Sequence, residues 1–179
     1  KVRDVMTLAH ELGHGVHQVL SADQGALMAD TPLTLAETAS VFGEQLVFRA
    51  MLEREREPVR RKLMLAGKIE DMLNTVVRQI SFCQFEQKLH GLRQSGELSS
   101  EVIGNVWMEI QAKSLGPGIQ LHEDYKVYWS YIPHFVHTPF YVYAYAFGDC
   151  LVNSLYGIYQ AEPDGFEDKY LDMLRAGGS

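Results

Sequence analysis

Apolar positions along the chain recur every three or four residues, and the alternation of a half-buried strand is nearly absent. All six prolines (Pro32, Pro58, Pro117, Pro133, Pro139, Pro163) fall at candidate boundaries between these stretches. Proline removes a helix donor and clashes with the preceding turn, so long helices fit only in the intervals between them. The pattern predicts helices over residues 4–20, 32–56, 59–93, 99–114, 140–160 and 166–175. In the third, Leu63, Ala66, Ile69, Met72, Leu73, Val76 and Ile80 make the stripe of a helix that packs on one side as core. Ser95-Gly96 and Leu115-Gly116-Pro117-Gly118 are turn chemistry, and the charge run 53–62 solvates a helix end. There is no internal repeat and no linker, so the expectation is one all-α region over residues 1–179.

Composition narrows the partners. The 179 residues are 46% hydrophobic and 22% charged, enough for a sizeable core and unlike a disordered chain. With 16 Lys plus Arg against 23 Asp plus Glu, the net charge of −7 repels a phosphate backbone, which argues against nucleic acid. No apolar run approaches the roughly 18 residues of a membrane span, so the chain reads as soluble with no membrane partner. Cys83 and Cys150 cannot build a disulfide framework or a thiolate zinc site, which suggests a reducing, cytoplasmic setting. The chain starts at Lys1 and trails off in Ala-Gly-Gly-Ser, and is read as an excerpt truncated at both ends.

The chemistry concentrates in Thr7-Leu8-Ala9-His10-Glu11-Leu12-Gly13-His14-Gly15-Val16-His17, which contains His-Glu-x-x-His. At about 100° per residue, His14 lies roughly 40° around the helix from His10 and one turn along it, so two imidazoles can reach one ion. Glu11 points about 60° past His14, beside the ion, where it can take a proton from an attacking water. Val5, Met6, Leu8, Leu12 and Val16 flank the motif and are expected to bury it. Gly13 and Gly15 each cost a helix interior about 1 kcal/mol relative to alanine, and close approach there of a neighbouring helix or a substrate backbone supplies a reason. His17 lies roughly 10 Å along the axis from His10, too far to share its ion, and fits a supporting or core role.

A third protein ligand is needed, with a fourth position left open. Glu37, in Ala36-Glu37-Thr38-Ala39-Ser40-Val41-Phe42-Gly43-Glu44, is the candidate. Glu37 and Glu44 share a helix face, so one can bind the metal while the other holds a ligand imidazole from behind. Thr34-x-x-Glu37 is also a capping box, which would turn that carboxylate onto a backbone amide. Thr31-Pro32, read as N-cap and first helical residue, instead places Glu37 beyond the first turn and frees it.

These residues, together with Ala29-Asp30-Thr31-Pro32-Leu33-Thr34-Leu35 and Pro139-Phe140-Tyr141-Val142-Tyr143-Ala144-Tyr145-Ala146, carry a resemblance across nearly the whole chain. The sequence closely resembles the oligoendopeptidase F branch of the thimet oligopeptidase family. The resemblance implies a zincin-like catalytic portion in which the His-Glu-x-x-His helix packs on the helix of the third ligand. It further implies one Zn2+ held by His10, His14 and Glu37, with Glu11 as general base, and soluble oligopeptides cut internally. A histidine and tyrosines toward the C-terminus of the site would hold substrate and stabilise the oxyanion. The candidates are His134, His137, Tyr141, Tyr143 and Tyr145; helical projection sets Tyr141 and Tyr145 on one face with Gly148 and Tyr143 nearly opposite, favouring those two tyrosines, and His134 is taken as the histidine. Two other readings compete: a metal-dependent carboxypeptidase on a related scaffold, and a non-catalytic helical module whose metal only cross-links two helices. Oligomeric state has no signature in the sequence.

Overall fold

The computed structural model describes residues 2–178. Its order is α1 (Val2–Ser21), a 3₁₀ turn (Ala22–Gln24), α2 (Leu33–Ala36), α3 (Thr38–Arg54), α4 (Pro58–Arg93), α5 (Ser100–Leu115), a 3₁₀ segment (Glu123–Tyr131), α6 (His134–His137), α7 (Tyr143–Ala161) and α8 (Phe166–Arg175). The fold is all-α, as expected from the periodicity. Local chemistry sets several boundaries. Pro58 opens α4, where its missing N–H costs nothing. The Ser99 side chain accepts the Val102 N–H to cap α5, and Gly116, at φ 74°, closes it.

Two boundaries differ from expectation in ways that matter for chemistry. The helix expected over 32–56 breaks at Glu37, which joins α2 to α3 with φ −86° and ψ −1°, the sparsely populated bridge region. The helix expected over 140–160 starts only at Tyr143, so Tyr141 stands outside it.

The chain forms two compact units, one reaching to Met72 and resuming at Phe147, the other Leu73–Ala146. In the first, α1 packs against α3 and α8. Phe42, Val152, Tyr156 and Phe166 make its core, with Tyr170 stacked 4.4 Å from Phe42, ring centre to ring centre. Burial pushes the Tyr170 phenol well above its ordinary range, which keeps it neutral. The C-terminal tail, expected to trail away, folds back: Gly178 N–H donates to Met28 O at 2.8 Å and Gln24 Nε2 to Arg175 O at 2.8 Å. In the second unit, Phe82, Phe85, Val106, Trp107, Ile110 and Val142 form the core. The aromatic 3₁₀ segment lies against α5, where a Cβ on Gly104 would come within 3.2 Å of Lys126.

Burial corrects two sequence expectations. On α1 the buried row is Ala9, His17 and Ser21, with Gly13 between them at the same four-residue spacing, while Leu8 and Leu12 are each 60% exposed and Val5 and Val16 are exposed too. On α4, Leu63, Ala66, Ile69, Leu73 and Ile80 are exposed, Met72 and Val76 half-buried, and burial is confined to Ser81, Phe82, Phe85 and Glu86. Periodicity marks which face of a helix is apolar, but covering it takes a neighbour, and among the described residues small side chains recruited it on α1.

Candidate metal centre

The crossing of α1 and α3 is unusually close because both helices present small residues there. A Cβ added to Gly13 would stand 2.5 Å from Ala39 O and Ser40 Cα, and one added to Gly43 would stand 3.0 Å from Ala9 O. The close approach inferred from the sequence therefore holds at Gly13. At Gly15 no neighbouring helix makes this approach: there is nothing within 4 Å.

This approach brings side chains one position away from the buried row of α1 onto Glu37. His10 Nε2 and His14 Nε2 lie 3.1 Å apart, and Glu37 Oε2 lies 3.5 Å from the first and 3.6 Å from the second. Three ligand atoms held about 2.05 Å from a tetrahedral centre would be about 3.35 Å apart, so the triangle has the size of a zinc face. Among the described residues, His10, His14 and Glu37 form the one His/Cys/Asp/Glu group of metal-binding size.

The surrounding hydrogen bonds fix which atoms point inward. His10 Nδ1 donates to Glu44 Oε1 at 2.7 Å; an ionised carboxylate only accepts, so the ring proton sits on Nδ1 and the Nε2 lone pair faces His14 and Glu37. Glu37 does not form the capping box with Thr34. Ser40 Oγ, fully buried, lies 2.9 Å from Glu37 Oε2 and 3.1 Å from the Glu37 carbonyl, two acceptors that hold the residue in its bridge conformation. On the other side, a Cβ on Gly148 of α7 would come within 3.2 Å of Glu37 Cβ, so this glycine makes room for the carboxylate. The His10 Nε2 lone pair and the Glu37 carboxylate face His14 Nε2 across the triangle, and two imidazoles with one carboxylate suit zinc better than calcium or magnesium. The residues present fit the metal.

Glu11 sits on the exposed side of α1 next to His10. His17 is 5% exposed, and burial, aided by the charge of His14, pushes its imidazole below its ordinary range, so it is a neutral core histidine. The remaining candidates gather in the second unit. Tyr145 Oη lies 3.4 Å from His134 Nε2, and the His134, Tyr141 and Tyr145 rings stand 5.0–5.9 Å apart, centre to centre. His137 and Tyr143 are exposed.

Sequence reasoning missed Ser40 as the partner of Glu37, and it missed Glu86, buried on α4. The signal for Glu86 was present: it takes a core position in the row Phe82, Phe85, Glu86, Leu89, where a carboxylate needs a reason.

Comparison with known proteins places the chain. The model of Peptidase family M3 matches residues 1–179. An oligoendopeptidase F homologue of Borreliella burgdorferi is 33% identical over 99% of this chain and 30% of its own length. Oligopeptidase PepF of Bacillus subtilis is 33% identical over 99% of this chain and 27% of its own length. The crystal structure of oligoendopeptidase-F from Enterococcus faecium superposes with a TM-score of 0.80 at 32% identity, covering 99% of this chain and 32% of that one. The chain thus spans about 30% of the length of the relatives it matches. Among the described residues, no helix is long and apolar enough to cross a membrane.

Proposed function

Because the chain belongs to peptidase family M3, we propose that it carries the catalytic machinery of a zinc-dependent endopeptidase that cuts internal bonds of short oligopeptides. The observation that carries this reading is the His10, His14, Glu37 triangle, with Glu11 following His10 on the same helix. When bound there, zinc would polarise the scissile carbonyl and lower the pKa of a water toward neutrality. His10, fixed through Nδ1 by Glu44, and Glu37, fixed by Ser40, hold their ligand atoms without reorganisation. Glu11 takes the proton of the attacking water and returns it to the leaving amine. The Tyr145 hydroxyl and His134, joined at 3.4 Å, are assigned to the oxyanion, with Tyr141 packed on both, an assignment that rests on the family resemblance. Losing such a donor typically lowers turnover about 10²- to 10³-fold.

The experiment is Glu11→Gln in the zinc-loaded protein, assayed on an internally quenched peptide blocked at both ends. Retained zinc with cleavage abolished supports the reading; full turnover removes Glu11 as the base. The blocked ends separate an endopeptidase from a carboxypeptidase, which cannot cut such a substrate. A structural metal would have four closed protein ligands, against the three that converge here, and its removal would unfold the chain.

A further inference from the structure

Glu86 lies 1% exposed, an expensive place for a carboxylate. Its Oε1 accepts the Phe140 N–H at 2.8 Å across 54 residues of chain, while its Oε2 is buried with no hydrogen-bond partner. Phe140 is the one described non-glycine residue with a positive φ, at 64°. A side chain in this left-handed region is strained and persists only where its surroundings hold it. Two anchors flank the next residue: the Phe140 amide bound to Glu86, and Val142, 1% exposed, seated in the core with Phe82 and Phe85. Between them stands Tyr141, its ring 5.5 Å from His134 and 5.0 Å from Tyr145. The Phe140 ring, turned away by the left-handed backbone, packs 4.7 Å from His90. A regular helix reaching back from Tyr143 would put neither residue in these positions.

We propose that Glu86 is a positioning residue for peptide hydrolysis: by holding the Phe140 amide it fixes the left-handed turn that sets Tyr141 against His134 and Tyr145. This rests on the reading above, in which that aromatic cluster meets the substrate. Burial pushes the Glu86 carboxyl above its ordinary range, against the opposing pull of the Phe140 N–H, His90 and His134. Either protonation state leaves Oε1 able to accept, so the clamp does not need the charge.

The test compares Glu86→Gln, which keeps an acceptor at Oε1, with Glu86→Leu, which fills the site without one. Both are measured in the zinc-loaded protein on the blocked, internally quenched peptide, with Tyr145→Phe beside them. Expected are a kcat within about threefold of the parent for Gln, and a kcat lower by roughly 10- to 100-fold for Leu with KM changed less. A Leu variant within about threefold of the parent, or a Gln variant as damaged as Leu, overturns the proposal. If Tyr145→Phe keeps full turnover, the substrate role of the cluster fails instead; if Tyr145→Phe loses turnover and Leu does not, Glu86 alone is dismissed. Hydrogen exchange gives a readout independent of activity. The Phe140 amide should be protected in the parent and the Gln variant and exchange at least tenfold faster in the Leu variant. Should Leu fail to fold, rapid exchange of that amide in the folded parent overturns the clamp, and slow exchange supports it.

Discussion

Alanine at Gly13 and alanine at Gly15 should have opposite effects, although both remove a glycine from the same helix two residues apart. At Gly13 the new methyl would stand 2.5 Å from Ala39 O and Ser40 Cα, backbone atoms with no rotamer to escape into. Restoring an ordinary 3.4 Å contact requires α1 and α3 to separate by about 0.9 Å. Overpacking of this kind costs about 1–3 kcal/mol, and backbone resistance puts it toward the upper end. Helix propensity returns about 1 kcal/mol, leaving a net loss of about 2 kcal/mol. The same separation would stretch the 3.5 and 3.6 Å spans from Glu37 to the two imidazoles toward about 4.4 Å. Two ligands each about 2.1 Å from zinc cannot be more than about 4.2 Å apart, so Gly13→Ala should lose one of them. Its metal affinity should fall by more than the 10- to 100-fold typical of a lost supporting partner. At Gly15 the methyl meets nothing within 4 Å, and the variant should gain about 0.5–1 kcal/mol with metal affinity unchanged. Urea unfolding of the metal-free variants and competitive zinc titration read both effects. A Gly13→Ala protein as stable and as tight for zinc as Gly15→Ala would refute the close crossing.

Glu44→Ala removes the acceptor that holds His10 Nδ1 and should lower zinc affinity about 10- to 100-fold while leaving helicity intact, as read by chelator competition and circular dichroism. Asp149, nearly buried, has its carboxyl pushed above the ordinary range by desolvation, against a smaller pull from Lys68. The unfolded chain therefore releases this proton first as pH rises, and the folded state loses stability from the ordinary carboxylate range, about pH 4, up to the raised folded value. Asp149→Asn removes that loss and still accepts from Asn153, so its melting temperature should exceed the parent's by a margin that grows with pH above about 4 and then levels off. A margin that shrinks as pH rises would contradict the direction of the shift.

Much of the site was written in the sequence because its parts are local. The four-residue spacing of His10 and His14, and the seven-residue spacing of Glu37 and Glu44, are helix-face statements, and the folded chain brings His10, His14, Glu37 and Glu44 together. The break at Glu37 left no mark, because Pro32 supplies a helix start and the apolar pattern runs on through α3 without a breaker. Gly148 accommodates the carboxylate from a position that only the folded chain brings near it, whereas Ser40, three residues on, is local but reaches the carboxylate only because the chain breaks at Glu37. The 3₁₀ segment had a readable signal, since Tyr125, Tyr128 and Tyr131 repeat every three residues, the period of that helix. The uncovered rows on α1 and α4 show the limit of periodicity. Leu8, Leu12 and Leu63 look like core by spacing, yet small residues decided which face of α1 found a partner.

Diffraction from zinc-loaded crystals on either side of the zinc absorption edge would show whether one zinc is gripped by two turns of α1 and the residue that breaks the next helix. One anomalous peak per chain is expected, about 2.0–2.2 Å from His10 Nε2, His14 Nε2 and a Glu37 oxygen, with Glu44 still on His10 Nδ1. A peak closed off by four protein ligands, or one that leaves any of these three side chains out, would contradict it.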